Sequence, residues 1–288
     1  MREYIRSMRP ETWPLASLAT LFSGMIAMNF VFSAENILLL IQPIIMLCIM
    51  VLGGINMFNE VYDTKHDKIN KPGRPIVSGS LSVNSAKKAS LGLFAAALLW
   101  ALALDTSLFI FTTALVFLGI AYSLPGIRFK DNAITSMLTL GLGYGVLMPL
   151  APWLILPGAD LVTGALIVLM SFMWFAGTTN FKDFKDLPGD MAAETHTLVA
   201  RHGEKFTLKL MALLMVFIPT SMLIAYVAAG LFPIWTVVTI ASLMLTLWVI
   251  TDLYKNYSPA RAYRGYGITY LLYPLFFFLL TLGFIGGT

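Results

Sequence analysis

Residues 37–67 read ILLLIQPIIMLCIMVLGGINMFNEVYDTKHD, an uncharged apolar run from Ile37 to Ile55 followed by the polar stripe Asn59, Asp63 and Asp67. The run approaches the roughly 20 residues that a helix needs to cross the hydrocarbon core of a bilayer. Spaced four apart, the three polar residues share one face of a continuing helix, because four residues advance about 400°. The arrangement returns after the apolar run Leu161–Thr179, where Asp183, Asp186 and Asp190 again fall on one helical face. Two carboxylate faces beside a membrane repel each other unless cations lie between them. Rigid carboxylate oxygens suit Mg²⁺, which takes one or two carboxylates per ion and completes its octahedron with water and phosphate oxygens.

The rest of the chain supports a membrane fold. Of 288 residues, 58% are hydrophobic and 12% charged, with a mean hydropathy of +0.80; an ordinary soluble domain carries about 25% charged residues. Uncharged runs cover 13–33, 37–55, 89–104, 108–122, 133–156, 161–179, 210–231, 235–250 and 265–285. They predict an all-α membrane protein, a single integral-membrane domain over residues 1–288 with nine transmembrane helices. Pro43, Gly143, Pro149, Pro219 and Pro274 do not argue against this, since neighbouring membrane helices re-satisfy the backbone groups they free.

Charge placement orients the chain. All 19 Lys and Arg residues fall in the N-terminal tail or in even-numbered connections, whereas the odd ones carry only Glu35, Asp105 and Asp160. The Lys/Arg rule therefore puts the N-terminus and both acidic stripes in the cytoplasm. Net charge +4 and pI about 9.1 then reflect topology and contact with anionic membrane lipid, not nucleic-acid binding. Cys48 is alone within an apolar run, so it reads as a small buried hydrophobe. The tail MREYIRSMRPETW leads into an apolar stretch too long for a cleavable signal, so the first span is expected to remain.

Two long polar connections, 56–88 and 180–209, hold the chemistry, and their similar layout suggests a four-helix repeat. Each follows its acidic stripe with basic residues: Lys65, Lys68, Lys71 and Arg74 in the first, Lys182, Lys185 and Arg201 in the second. Lys71-Pro72-Gly73-Arg74-Pro75 is a basic turn. The short connection after the fourth run, from Tyr122-Ser123-Leu124-Pro125 to Arg128 and Lys130, adds a phenol, a hydroxyl and two cations. His66, His196 and His202 are too scattered for a zinc site and read as solvated loop histidines.

Asn59-Glu60-Val61-Tyr62-Asp63-Thr64-Lys65-His66-Asp67, continuing through Asn70-Lys71-Pro72-Gly73-Arg74-Pro75, resembles the NDxxDxxxD signature of the UbiA superfamily of intramembrane prenyltransferases. Lys182-Asp183-Phe184-Lys185-Asp186-Leu187-Pro188-Gly189-Asp190 resembles the second signature, and Tyr122-Ser123-x-Pro with Arg128 and Lys130 a further stretch seen in many members. Glu60 departs from the usual Asp, its carboxylate one methylene further out, which questions a direct metal role. The resemblance covers nearly the whole chain and implies that the nine helices bundle around a central cavity.

It implies Mg²⁺-dependent transfer of a prenyl group from an isoprenoid diphosphate donor to a lipophilic or aromatic acceptor, at the cytoplasmic face. The acceptor would belong to quinone, chlorophyll-like or ether-lipid synthesis, and the signatures look closer to the homogentisate, chlorophyll and ether-lipid branches than to the hydroxybenzoate branch. Asn59, Asp63 and Asp67 would hold one Mg²⁺, and Asp186 and Asp190 another, with Asp183 as ligand or orienter. Asp63, Asp67, Asp186 and Asp190 would be the residues on which turnover depends. Lys71, Arg74, Arg128 and Lys130 would bind the diphosphate, and Tyr122 would orient substrate. A terpene cyclase of the same superfamily would carry the same motifs and need no acceptor. A transporter or flippase would place charge within the spans, where this chain has none.

Overall fold

The computed structural model describes residues 1–192, 197–228 and 234–287, and every regular element among them is helical. In chain order these are α1 (Arg2–Ser7), α2 (Trp13–Ala27), α3 (Ala34–Tyr62), α4 (Thr64–Asn70), α5 (Val83–Leu104) and α6 (Thr106–Ser123). They continue as α7 (Ala133–Ile155), α8 (Leu161–Thr178), α9 (Phe181–Ala192), α10 (Leu198–Ala228), α11 (Ile234–Lys255) and α12 (Pro259–Gly287). Six helices among the described residues, α3, α5, α6, α7, α8 and α12, are long and apolar enough to cross a membrane. The first expected run yields only the 15 residues of α2, because Asn29 and Phe30 take positive φ and turn the chain. The runs 210–231 and 235–250 fall on α10 and α11, and the first of them ends outside the described residues.

The polar connections are shorter than expected. Ser33 caps α3 by accepting from the Asn36 N–H, and the helix continues past Ile55 to Tyr62. Residues 56–62, read as connection, are thus its last turns. At the other end Ser82 caps α5, leaving 63–82 between the membrane helices. In the second connection α9 and the start of α10 occupy most of 180–209; α10 is interrupted at Gly203, whose φ is 77°.

Two membrane helices carry wider π-type turns. In α3 the segment Ile44–Val51 follows Pro43, which supplies no N–H to the ladder. In α7 it covers Gly141–Leu147. A Cβ on Gly145 would lie 2.6 Å from the Phe172 Cα and 2.9 Å from the Ser171 carbonyl, so the α7 and α8 backbones touch there.

The core holds three apolar clusters, two of them large. One apolar cluster joins α3, α5 and α6, with Phe58, Phe94 and Leu115 at its centre. The other joins α2 and α8 to α9–α12 through Trp174, Phe181, Tyr273 and Phe277. Tyr144 of α7 packs against both, and the site lies along this seam. Outward-facing Leu99 (69% exposed), Val162 (69%) and Leu271 (70%) form an apolar exterior that suits lipid and not water. Cys48 is fully buried, as expected.

Candidate active site

The first acidic stripe does not lie on one unbroken helix. α3 ends at Tyr62, Asp63 takes φ −100° and ψ 12°, and α4 begins at Thr64. Aspartate supports a helix interior poorly, and this one is drawn to Lys130 and Arg128 of the α6–α7 connection. The spacing nevertheless survives, since the Asp63 N–H donates to Asn59 O (3.0 Å) and the Asp67 N–H to Asp63 O (2.8 Å). Asp183, Asp186 and Asp190 share α9. Asn59, Asp63, Asp67, Asp183, Asp186 and Asp190 all line one cavity of about 120 Å³.

The chain's own cations separate the carboxylates. Lys71 donates to Asp186 Oδ2 at 2.9 Å, Arg74 pairs with Asp67, and Lys130 pairs with Asp63 and donates to Asn59 Oδ1 at 3.3 Å. Lys71, Arg74 and Lys130 line the cavity. Arg128 stands just behind it, with Nη2 3.5 Å from Asp63 Oδ1 and Nε donating to Asp131 at 2.9 Å. The four predicted diphosphate-binding residues are therefore beside the carboxylates. Tyr122 is buried, and its hydroxyl accepts from Lys182 Nζ at 2.6 Å.

The residues present fit Mg²⁺. Asp186 Oδ1 is buried without a hydrogen-bond partner. Burial and the nearby Asp183 push the Asp190 carboxyl up to about 7, from an ordinary 3.8. Burial also raises Asp183. A cavity that holds carboxylates at such cost favours a divalent cation. Among the described residues no three His, Cys, Asp or Glu side chains converge as a closed metal cage. An ion here would draw the rest of its shell from water or substrate oxygens, as Mg²⁺ commonly does.

Several contacts of the site were not readable from the sequence. Asn70 joins the two motifs: its Nδ2 donates to Asp186 O (2.8 Å) and its Oδ1 accepts from the Gly189 N–H (3.1 Å). Gly189 makes room for this, since a Cβ there would lie 2.2 Å from Asn70 Nδ2. Glu60 is fully buried and accepts from Ser7 Oγ and the Ile76 N–H, both at 2.8 Å. Both oxygens are engaged in fastening α1 and the 63–82 connection to α3. His66 is not a solvated loop residue; it lines the carboxylate cavity, and burial together with Arg128 holds its imidazole below the usual 6.5. His202 is exposed as expected, and His196 lies outside the described residues.

Arg9 was also missed. It precedes Pro10 in a left-handed conformation (φ 54°, ψ 67°), and its Nε and Nη2 are buried without partners. Burial and Arg74 lower it to about 10, so it stays charged at neutral pH. The signal available in the sequence was an arginine at the mouth of the first apolar run.

Two further cavities adjoin the carboxylates. One of about 200 Å³ runs along the seam between Leu52, Ile55, Leu115 and Gly119 on one side and Phe175, Tyr266 and Tyr273 on the other. The second, about 800 Å³, is rimmed by charged side chains and lies between α1, the Lys71–Pro75 turn, α9 and α12. Arg9 and Lys182 line all three.

Comparison with known proteins agrees with this geometry. The model of the UbiA prenyltransferase family matches residues 16–283. The digeranylgeranylglyceryl phosphate synthase of Methanosphaera stadtmanae is 26% identical over 74% of each chain. A solved structure described as concerning digeranylgeranylglyceryl phosphate synthase in membranes superposes with TM-score 0.76 at 21% identity, covering 99% of this chain and 98% of that one. A UbiA homologue from Archaeoglobus fulgidus bound to GPP and Mg²⁺ superposes with TM-score 0.72 at 22% identity, covering 96% and 98%. These two likenesses establish the fold.

Proposed function

The chain belongs to the UbiA prenyltransferase family, and from that premise we propose that it transfers a geranylgeranyl group from its diphosphate to the free hydroxyl of a geranylgeranylglyceryl phosphate, within the membrane. One observation carries this reading: carboxylates and cations from both acidic motifs meet in one cavity that shares Arg9, Asn59, Tyr122 and Lys182 with an apolar, aromatic-walled cavity along the seam. That pairing fits an allylic diphosphate, charged at one end and hydrocarbon at the other. The relatives' name supports this acceptor, since removing one prenyl group from their named product leaves a prenylglyceryl phosphate.

Asn59, Asp63, Asp67, Asp183, Asp186 and Asp190 would hold Mg²⁺, which when bound stabilises the charge that develops on the departing diphosphate. Lys71, Arg74, Arg128 and Lys130 exchange their carboxylate partners for diphosphate oxygens. Tyr122, held by Lys182, stands where both cavities meet and orients the allylic carbon. Tyr144, Phe175 and Tyr266 line the apolar cavity and exclude water from the developing cation. The acceptor oxygen forms its bond to the allylic carbon as the carbon–diphosphate bond breaks, and the hydroxyl proton leaves with the diphosphate. The Lys/Arg asymmetry supports a cytoplasmic position for this site.

The test is incubation of the purified protein with Mg²⁺ and geranylgeranyl diphosphate, with and without geranylgeranylglyceryl phosphate. Acceptor-dependent diphosphate release with a mass-shifted lipid is the expected result. Release without acceptor, giving a hydrocarbon or cyclic alcohol, would replace transfer by cyclisation.

A further inference from the structure

Glu60 follows Asn59 directly in the chain, yet it does not line the cavity that Asn59, Asp63 and Asp67 share. Its two oxygens accept instead from Ser7 Oγ of α1 and from the Ile76 N–H, and all three residues are buried. A buried carboxylate is costly unless donors complete it. Burying this one therefore fixes the two groups that complete it, one on α1 and one in the 63–82 connection.

The same connection carries Lys71 and Arg74, and α1 grips it at further points. Arg6 Nη2 donates to Gly73 O at 3.1 Å, between those two cations in the chain, and Ser80 Oγ donates to Glu3 Oε2 at 2.9 Å. The connection also ties itself together, since the Ser78 N–H donates to Arg74 O at 2.8 Å and the Leu81 N–H to Pro75 O at 3.0 Å. Beneath it Ile76 and Leu81 pack with Met57 and Val61 of α3, and Tyr4 and Met8 of α1 join that cluster. The backbone that presents Lys71 and Arg74 is thus located from its far side, by residues that do not line the carboxylate cavity. Cations on long side chains bind an anion more tightly when the backbone beneath them is already in place.

We infer that Glu60 is a positioning residue for donor binding: it is the pivot between α3, α1 and the 63–82 connection, it places Lys71 and Arg74 for the diphosphate, and it binds no metal. The inference rests on the prenyl-transfer reading, in which those two cations hold the diphosphate, and it assigns a task to the acidic residue of the first signature that the reading leaves unused. Charge gives it a distinctive sign. By Coulomb's law alone, removing the Glu60 carboxylate makes the surroundings more positive and strengthens diphosphate binding. Weaker binding on neutralisation can come only from displaced cations.

The experiment compares wild type, Glu60→Gln, Ser7→Ala and Arg74→Ala with the double variant Glu60→Gln/Arg74→Ala. Inorganic diphosphate and geranylgeranyl thiodiphosphate are titrated by calorimetry at fixed free Mg²⁺, Mg²⁺ alone is titrated separately, and donor KM and kcat are measured with geranylgeranylglyceryl phosphate as acceptor. Glu60→Gln should weaken both diphosphates and raise donor KM by about tenfold, the scale of one hydrogen bond to a charged group. The Kd of Mg²⁺ alone should stay unchanged. Ser7→Ala, which alters no charge, should act in the same direction and less strongly. Once Arg74 is gone, Glu60→Gln should add little, because the two substitutions then remove the same interaction. A purely structural role would lower the thermal midpoint and leave these Kd values alone. Unchanged or tighter diphosphate binding in Glu60→Gln, weaker binding of Mg²⁺ alone, or a loss fully additive with that of Arg74→Ala overturns the assignment. If wild type binds diphosphate but transfers to no acceptor, the transfer reading falls alone and the titrations still decide the role of Glu60. Should Glu60→Gln fail to fold, Ser7→Ala alone and with Arg74→Ala decides between the same outcomes.

Discussion

Asp190 and Glu60 are both buried carboxylates, and their surroundings set them to different tasks. Glu60 has a donor on each oxygen, so Glu60→Ala strands the Ser7 hydroxyl and the Ile76 N–H. We predict a loss of about 1–3 kcal/mol for each donor left unsatisfied, read as a lowered thermal midpoint in detergent. Among the described residues Asp190 accepts from Thr197 at 3.5 Å, and burial together with the neighbouring Asp183 charge pushes it up to about 7. Because the folded protein holds a proton there that the unfolded chain releases near 3.8, the metal-free protein loses stability as pH rises from about 4 to 7. A bound cation needs the ionised form, so Mg²⁺ affinity should climb by up to about tenfold per pH unit below 7 and level off above it. Calorimetric titration from pH 5.5 to 8 checks this; an equally steep slope in Asp190→Asn would exclude Asp190 as its source. Asp63→Ala and Asp190→Ala should each lose nearly all turnover while still inserting, and full activity in either would sink its assignment.

At the scale of elements, the site depends on how α4 is fastened to α9. Asn70 grips the α9 backbone on both sides of Pro188, by accepting from Gly189 and donating to Asp186 O. Asn70→Ala should therefore misplace the second motif relative to the first and reduce kcat by about 10²-fold, the scale of a 1 Å displacement at a reacting centre. Gly189→Ala, whose Cβ would meet the Asn70 side chain at 2.2 Å, should do the same. Normal kinetics in both variants would show that the tie does not position the site. The stripes themselves were legible because period and residue type coincide: Asp183, Asp186 and Asp190 share a helix face whatever packs against it. The tie was not, since Asn70 and Gly189 lie 119 residues apart and are ordinary turn residues until the two motifs are folded together. The π-type turns of α3 and α7 were equally hidden, and so was the break at Asp63, which depends on cations from another connection.

Across the whole molecule, hydropathy made the membrane helices readable but not the cavities between them, because a cavity is a property of the seam between two apolar clusters and not of any one segment. Within that seam the site neutralises itself. Lys71 pairs with Asp186 across the two motifs, Arg74 pairs with Asp67 within the 63–82 connection, and Lys130 of the α6–α7 connection pairs with Asp63. Mg²⁺ entering alone must compete with these ammonium and guanidinium groups for carboxylates, and diphosphate entering alone must compete with carboxylates for the cations. When both enter, each releases the partner that the other requires. Their binding should then be positively coupled, by about 1–3 kcal/mol if the coupling is of ordinary size. The expected observation is a rise in thermal midpoint with Mg²⁺ and inorganic diphosphate together that exceeds the sum of their separate effects. Because Mg²⁺ also complexes diphosphate in solution, the titration is repeated at fixed free concentrations of each. Lys71→Ala supplies the contrast, since removing the cross-motif pair frees Asp186 in advance and should strengthen Mg²⁺ binding alone while shrinking the coupling. Additive shifts in the wild type, or coupling undiminished in Lys71→Ala, would show that exchange of ion-pair partners does not link the two ligands.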